Sequence, residues 1–289
     1  MMYSLRHETV YHYAREVDVA AHYVHLFLQS SAHQRVISSV LVSDPPASRL
    51  AVAQDCFGND AGWLFMDMPH RAFSVVLEAQ VEVLGQDFPD LVGSLPWEVV
   101  AALAVGAAGY LAAEFLYESP LVALLAAMRD YTLLSFTPSR PAADALYDLT
   151  LRIYQDFSFA AGVTDIMTPL AQVFSQKRGV CQDFSHLMIA GLRAIGIPAR
   201  YVSGYIRTHG PAGEREFVGA DQSHAWVSAW MGAEQGWLEV DPTNGLIVAQ
   251  DHVVLAYGRD YADISPLCGV ILGGGKHELR VSVDLTALG

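Results

Sequence analysis

Only three cysteines occur in 289 residues, Cys56, Cys181 and Cys268, far apart and without a CxxC pair. That spacing excludes a disulfide framework and a zinc-knuckle pattern, and a reducing, cytoplasmic compartment suits such a chain best. Basic residues are scarce as well: 17 Lys+Arg stand against 31 Asp+Glu, a formal charge of −14. This balance repels phosphate backbones and anionic lipid surfaces, so neither nucleic acid nor a membrane is expected as a partner. The longest apolar run, residues 99–113, has about 15 residues against the roughly 20 a bilayer needs, and it is expected to be a buried helix. Residues 1–8 carry charge where a signal peptide would need an apolar stretch.

What is abundant is core material, with 52% hydrophobic residues and 10% aromatics. Residues 73–83 alternate apolar and polar with a period of two, as a half-buried strand does, and shorter strand-like runs precede them at 10–13 and 36–42. With a turn signal at Phe57-Gly58-Asn59-Asp60, these predict a small antiparallel β-sandwich-like domain. The boundary is expected between Gly85 and Pro96, dividing the chain into a β domain at 1–90 and a helical and catalytic part at 91–289. From Pro96 onward alanine- and leucine-rich stretches predict three helices before Gly162, with possible starts at Ser119-Pro120 and Ser139-Arg140-Pro141. Thr168-Pro169 is expected to supply the N-cap and first position of a further short helix ending near Lys177-Arg178-Gly179.

The next helix begins at Cys181, and Phe184, Leu187, Met188, Gly191, Leu192 and Ile195 recur on one face of it, the face that also carries the thiol. Strand-like segments follow at 199–207, 225–231 and 237–240, so the thiol is expected to face a sheet; a last alternation at 279–285 closes the chain. At a helix N-terminus, unpaired N–H groups and the helix dipole favour a thiolate, the nucleophilic form. Residues 222–227 and 237–243 form a natural hairpin around Gly232 and Gly236. A loop centred near Ala233 and Glu234 puts Trp226 opposite Asp241 and His224 diagonal to it, about 7 to 8 Å away at the backbone. An imidazole and a carboxylate can then pair. His224 would take the thiol proton, Asp241 would fix its tautomer, and the N–H groups at the helix start would stabilise an oxyanion.

The runs RGVCQDFSHLMIAGLRAIGIPARYVSGY, SHAWVSAW and GWLEVDPTNG resemble the transglutaminase-like superfamily, and specifically its bacterial branch of candidate cysteine proteases. The likeness extends to the DCFGN turn and to GRDYADISP at residues 258–266. The resemblance implies an α+β fold, with helices packed on an antiparallel sheet in a papain-like core, and a triad of Cys181, His224 and Asp241. It also implies acyl chemistry on a peptide or protein amide through a thioester. Hydrolysis is preferred; a transamidating cross-linker is the alternative, and a peptide-binding module with a dead site is the third reading. Relatives among eukaryotic transglutaminases take a side-chain oxyanion donor from a tryptophan upstream of the cysteine. No Trp lies between Trp97 and Cys181, and Gln176 or Tyr154 could stand in for it. Gln182 is a further candidate beside the thiol. Calcium is not implied, and no metal or cofactor is expected.

Several of these residues also have plainer uses. Asp183, in the first turn of the Cys181 helix, could orient a substrate but more often such a carboxylate caps free N–H groups. Trp226 could line a cleft or simply pack. His186 lies away from the thiol's face and is expected to be structural. His22 and His25 have no third ligand in view, and Cys56 and Cys268 are expected to be unreactive.

Overall fold

Buried and exposed side chains alternate from the beginning of the chain. In the computed structural model, which describes residues 1–84, 90–208, 217–219 and 222–288, Tyr3, Leu5, His7 and Thr9 all point inward along β1 (Met2–Val24). The strand is far longer than its apolar pattern at 10–13 suggests, because two of its inward positions are polar and satisfied inside. His7 Nδ1 meets the Tyr205 hydroxyl at 2.8 Å and its Nε2 meets Thr9 Oγ1 at 2.9 Å. β2 (Gln34–Asp44), β3 (Arg49–Gln54), β4 (Asp60–Met66) and β5 (His70–Val83) join it in the antiparallel order β2-β5-β1-β4-β3.

The helical stretch comprises α1 (Trp97–Ala104), α2 (Ala126–Leu133) and α3 (Ala142–Asp156), with two 3₁₀ turns between α1 and α2. The expected buried helix over 99–113 is therefore shorter: it stops at Ala104, and Val105 and Leu111 stand 77% and 71% exposed. Gly109 explains the reversal, since a Cβ there would lie 2.5 Å from Ala104 Cα. Pro120 does not start a helix either, because Ser119 and Val122 close a tight turn on each other and the Leu121 N–H is taken by Asp260. Pro141 and Pro169 stand at the N-cap, one position earlier than expected.

β6 (Ser158–Phe159) follows α3, then α4 (Leu170–Gln176), and β7 (Arg178–Gly179) pairs with β6 in parallel. α5 (Cys181–Ala194) runs beneath the second sheet. That sheet is built from β8 (Ala199–Ile206), β9 (His224–Trp230), β10 (Trp237–Asp241), β11 (Leu246–Ile247) and β12 (His252–Gly258), in the order β11-β10-β9-β8-β12. Every residue of α5 from Asp183 to Arg193 is buried, so the helix is enclosed on all sides. Leu187, Met188 and Leu192 pack with Ala199, Ala225 and Val227 of the sheet in one core. On its other side Gly191 lets α2 come close, for a Cβ there would sit 2.1 Å from Thr132 Oγ1.

The chain then returns to the first sheet. β13 (Leu267–Gly273) and β14 (His277–Leu288) both pair antiparallel with β1, and Leu285 lies opposite Leu5. The division expected at residue 90 assigned these strands to the catalytic part. Their hydrogen bonds are with β1, since alternation along 279–285 announces a strand but not its partner; Gly85, where that boundary was expected to begin, lies outside the described residues. Tyr205, Val253 and Leu255 of the second sheet enter the same core as Tyr3, Leu5 and Val81 of the first. Among the described residues no helix is long and apolar enough to cross a membrane.

Burial holds His7, His22 and His186 at about 4, against an ordinary 6.5. The unfolded chain therefore binds protons that the folded chain refuses. Stability from these three is complete above about pH 6.5 and is lost as pH falls toward 4, each histidine costing up to roughly 1.4 kcal/mol per pH unit. The urea midpoint is expected to drop markedly between pH 6.5 and 4.5; a midpoint constant over that range contradicts the buried neutral histidines.

Candidate active site

The thiol is placed by the turn that precedes α5. Lys177 ends α4 in the left-handed region at φ 54°, and its ammonium lies 4.1 to 4.6 Å from the ring centres of Tyr131, Phe157 and Phe174. Gly179 then passes so close to Asp183 that a Cβ would lie 2.6 Å from Oδ2. That oxygen accepts the Val180 N–H at 2.8 Å and the Thr164 hydroxyl at 2.7 Å. Asp183 is thus a cap on the turn; burial pushes its carboxyl up, against the pull of those two donors. The first intrahelical bond runs from Phe184 N to Val180 O at 3.1 Å, which leaves the N–H groups of Cys181 and Gln182 without helical partners beside the half-buried thiol.

The base and carboxylate come from the hairpin. Trp237 pairs with Trp230 and Val240 with Val227; one further step puts Asp241 opposite Trp226, the alignment that the loop spacing predicts. His224 opens β9, and its Nε2 donates to Asp241 Oδ2 at 2.8 Å with both side chains fully buried. Asp241 has other donors: Thr243 N at 2.8 Å and Asn244 N at 3.1 Å on Oδ1, and Asn244 Nδ2 at 2.8 Å and His252 Nε2 at 3.3 Å on Oδ2. Burial alone would push the Asp241 carboxyl up and the His224 imidazole down. The opposite charges and the shared hydrogen bond outweigh it, holding Asp241 well below the carboxylate range and His224 above the ordinary imidazole value, with Cys181 adding to the rise. His224, Asp241 and His252 form the one cluster of potential metal ligands among the described residues, but here their atoms are used on one another.

Among the described residues His224 Nδ1 has no partner at full hydrogen-bond geometry; it lies under Gly219, where a Cβ would come within 3.3 Å of it. Cys181 and His224 open into one cavity of about 330 Å³ together with Gln182, Tyr201, Gly219 and Tyr261. Of the sequence-predicted residues, Cys181, His224 and Gln182 meet at this cleft, and Asp241 stands behind His224. Gln176 does not reach it, being an exposed residue at the end of α4, and Tyr154 on α3 packs against Gly245 instead. Trp226 is completely buried, its indole N–H on Glu239 at 2.8 Å, so it packs beneath the site and does not line it. Sequence reasoning missed Tyr201, Gly219, Asn244 and His252. Asn244 carried a faint signal, an amide three residues after the carboxylate in a tight Asp-Pro-Thr-Asn-Gly turn.

Replacing Asp241 by Ala strips the acceptor from five donors in a fully buried position. The loss is expected to be roughly 3–5 kcal/mol by urea unfolding, the range for breaking a buried pair by removing one partner; a loss under about 1 kcal/mol contradicts a network centred on this carboxylate.

Two stretches of the chain match known families. Residues 135–242 match the model of the transglutaminase-like superfamily core, and residues 3–82 match that of the bacterial transglutaminase-like N-terminal region. An uncharacterised Mycobacterium tuberculosis protein is 38% identical over 98% of this chain and 92% of its own length. A protein-glutamine gamma-glutamyltransferase of Pseudomonas aeruginosa is 44% identical, but over 29% of this chain and 12% of its own length. A solved structure of a candidate cysteine protease from Cytophaga hutchinsonii covers 100% of this chain and 91% of its own, with a TM-score of 0.77 at 21% identity, and so shares the fold. With both family models in chain order and a relative matched nearly end to end, the chain belongs to the transglutaminase-like superfamily.

Proposed function

We propose that the protein is a cysteine-dependent hydrolase of peptide or protein amides, with Cys181 as nucleophile, His224 as acid–base group and Asp241 as its orienting partner. One observation carries this reading: His224 is held from behind by Asp241 while its free Nδ1 stands in the cleft that the Cys181 thiol also lines. In the resting site His224 Nδ1 holds the proton given up by the thiol, and in the first half-reaction the thiolate sulfur adds to the amide carbonyl. The N–H groups of Cys181 and Gln182, without helical partners at the start of α5, would donate to the resulting oxyanion. Collapse breaks the C–N bond, His224 gives its proton to the departing amine, and a thioester on Cys181 is left. Water then adds, its proton passing to His224 and from there back to the sulfur as the acid leaves.

Transamidation needs only that an amine take the place of that water. The Pseudomonas gamma-glutamyltransferase favours this second reading, although it matches less than a third of the chain. Hydrolysis remains the preferred outcome, and the three unpaired thiols suit a reducing, cytoplasmic setting.

The first step is testable without a substrate. Burial pushes the Cys56 and Cys268 thiols up, and the Asp55 carboxylate raises Cys56 further. Iodoacetamide near neutral pH is therefore expected to label Cys181 first, read by peptide mass. His224→Ala should move that labelling toward the pH dependence of an ordinary thiol, near 8.5. An unchanged profile removes His224 from the mechanism. Reaction class is decided by offering a peptide-amide library with and without excess primary amine: acids dominate if the protein is a hydrolase, and a product set made up mainly of amine adducts makes it a transferase.

A further inference from the structure

Asp241 serves two imidazoles. His252, on β12 at the opposite edge of the sheet from β10, brings Nε2 to the same Oδ2 that holds His224, at 3.3 Å against 2.8 Å. The ring is buried, set edge-on to Trp226 with centroids 5.1 Å apart, and its Nδ1 has no partner among the described residues. The tautomer with hydrogen on Nε2 donates to the carboxylate and leaves only a lone pair unmatched; the other tautomer would bury an N–H with nothing to receive it.

We propose that His252 is a positioning residue that tunes the site: by donating a second imidazole N–H to Asp241 Oδ2, it weakens that carboxylate's hold on the His224 proton. The inference rests on the triad reading above. A carboxylate that shares its charge with one more donor is a poorer acceptor for the rest. A positive charge on His252 would act in the same direction, by repelling a second positive charge on His224, so the sign does not depend on the protonation of His252. Among the described residues, Asp241 from β10 and His224 from β9 are the titratable groups facing it. The next charges along the chain, Asp251 on its own strand's approach and Arg207 past β8, pair with each other at 2.7 Å.

Alkylation of Cys181 by iodoacetate, an anionic reagent drawn by the imidazolium, should give a bell in pH whose upper limb reports His224 losing its proton. His252→Leu is expected to move that limb upward by about half to one pH unit, the net worth of one hydrogen bond. His252→Gln can still donate from its amide and should stay close to the parent. A purely structural role would lower stability or rate and leave the limb in place. An unmoved or lowered limb in His252→Leu overturns the proposal. The His224→Ala control separates the two claims: if the parent bell survives in it, the triad reading fails, whereas a bell that needs His224 and ignores His252 sinks only this inference. Should the leucine variant not fold, nitrogen NMR of the parent protein gives the answer. Hydrogen on His252 Nε2 supports the proposal and hydrogen on Nδ1 alone contradicts it.

Discussion

A histidine and an aspartate in full burial, 2.8 Å apart, set the terms for the rest of the molecule. Removing two such groups from water costs several kcal/mol for each ion, and their mutual attraction recovers this only when the remaining lone pairs are also filled. The second sheet is arranged to fill them. The β9–β10 register brings His224 across from the end of β10, the turn after Asp241 folds two backbone N–H groups and the Asn244 amide back onto the carboxylate, and β12 supplies His252. Two imidazole nitrogens, His224 Nδ1 and His252 Nδ1, are left without a partner among the described residues, and His224 Nδ1 is the one beside the cleft.

The thiol reaches the same cleft by a separate route. α5 is enclosed, so its position is fixed by packing on both sides and not by its own helix propensity. Gly191 permits the close approach of α2, and Gly179 permits the turn that Asp183 caps. The parallel β6–β7 pair ties that turn to Phe159, another wall of the cleft. Cleft geometry therefore depends on contacts far from the chemistry, including the first sheet, whose core receives Tyr205 and Val253.

Much of this was legible in the residues themselves. The apolar stripe of α5, the thiol at its start and the hairpin spacing that aligns Trp226 with Asp241 all follow from periods of 3.6 and 2, which side-chain direction imposes on any chain. What was not legible lay where polar residues do the work of apolar ones. β1 hides its length because His7 and Thr9 occupy inward positions and satisfy each other. The run at 99–113 misleads in the opposite sense, since apolar residues there end on the surface once Gly109 turns the chain. His252 and the β1–β14 pairing are long-range consequences of topology, which no local pattern encodes. Gln176 and Tyr154 have the chemistry of an oxyanion donor, but Gln176 stands exposed at the end of α4 and Tyr154 packs against Gly245.

On the proposed reading, Asp241 keeps His224 charged inside the protein, poised against the thiol. Nitrogen-15 NMR of the His224 ring tests it most directly. Protons on both ring nitrogens are expected at pH 8, where a free histidine is neutral, with the Nε2 proton shifted far downfield by its bond to Asp241. A ring that is neutral at pH 8, whichever nitrogen carries its single proton, would contradict it.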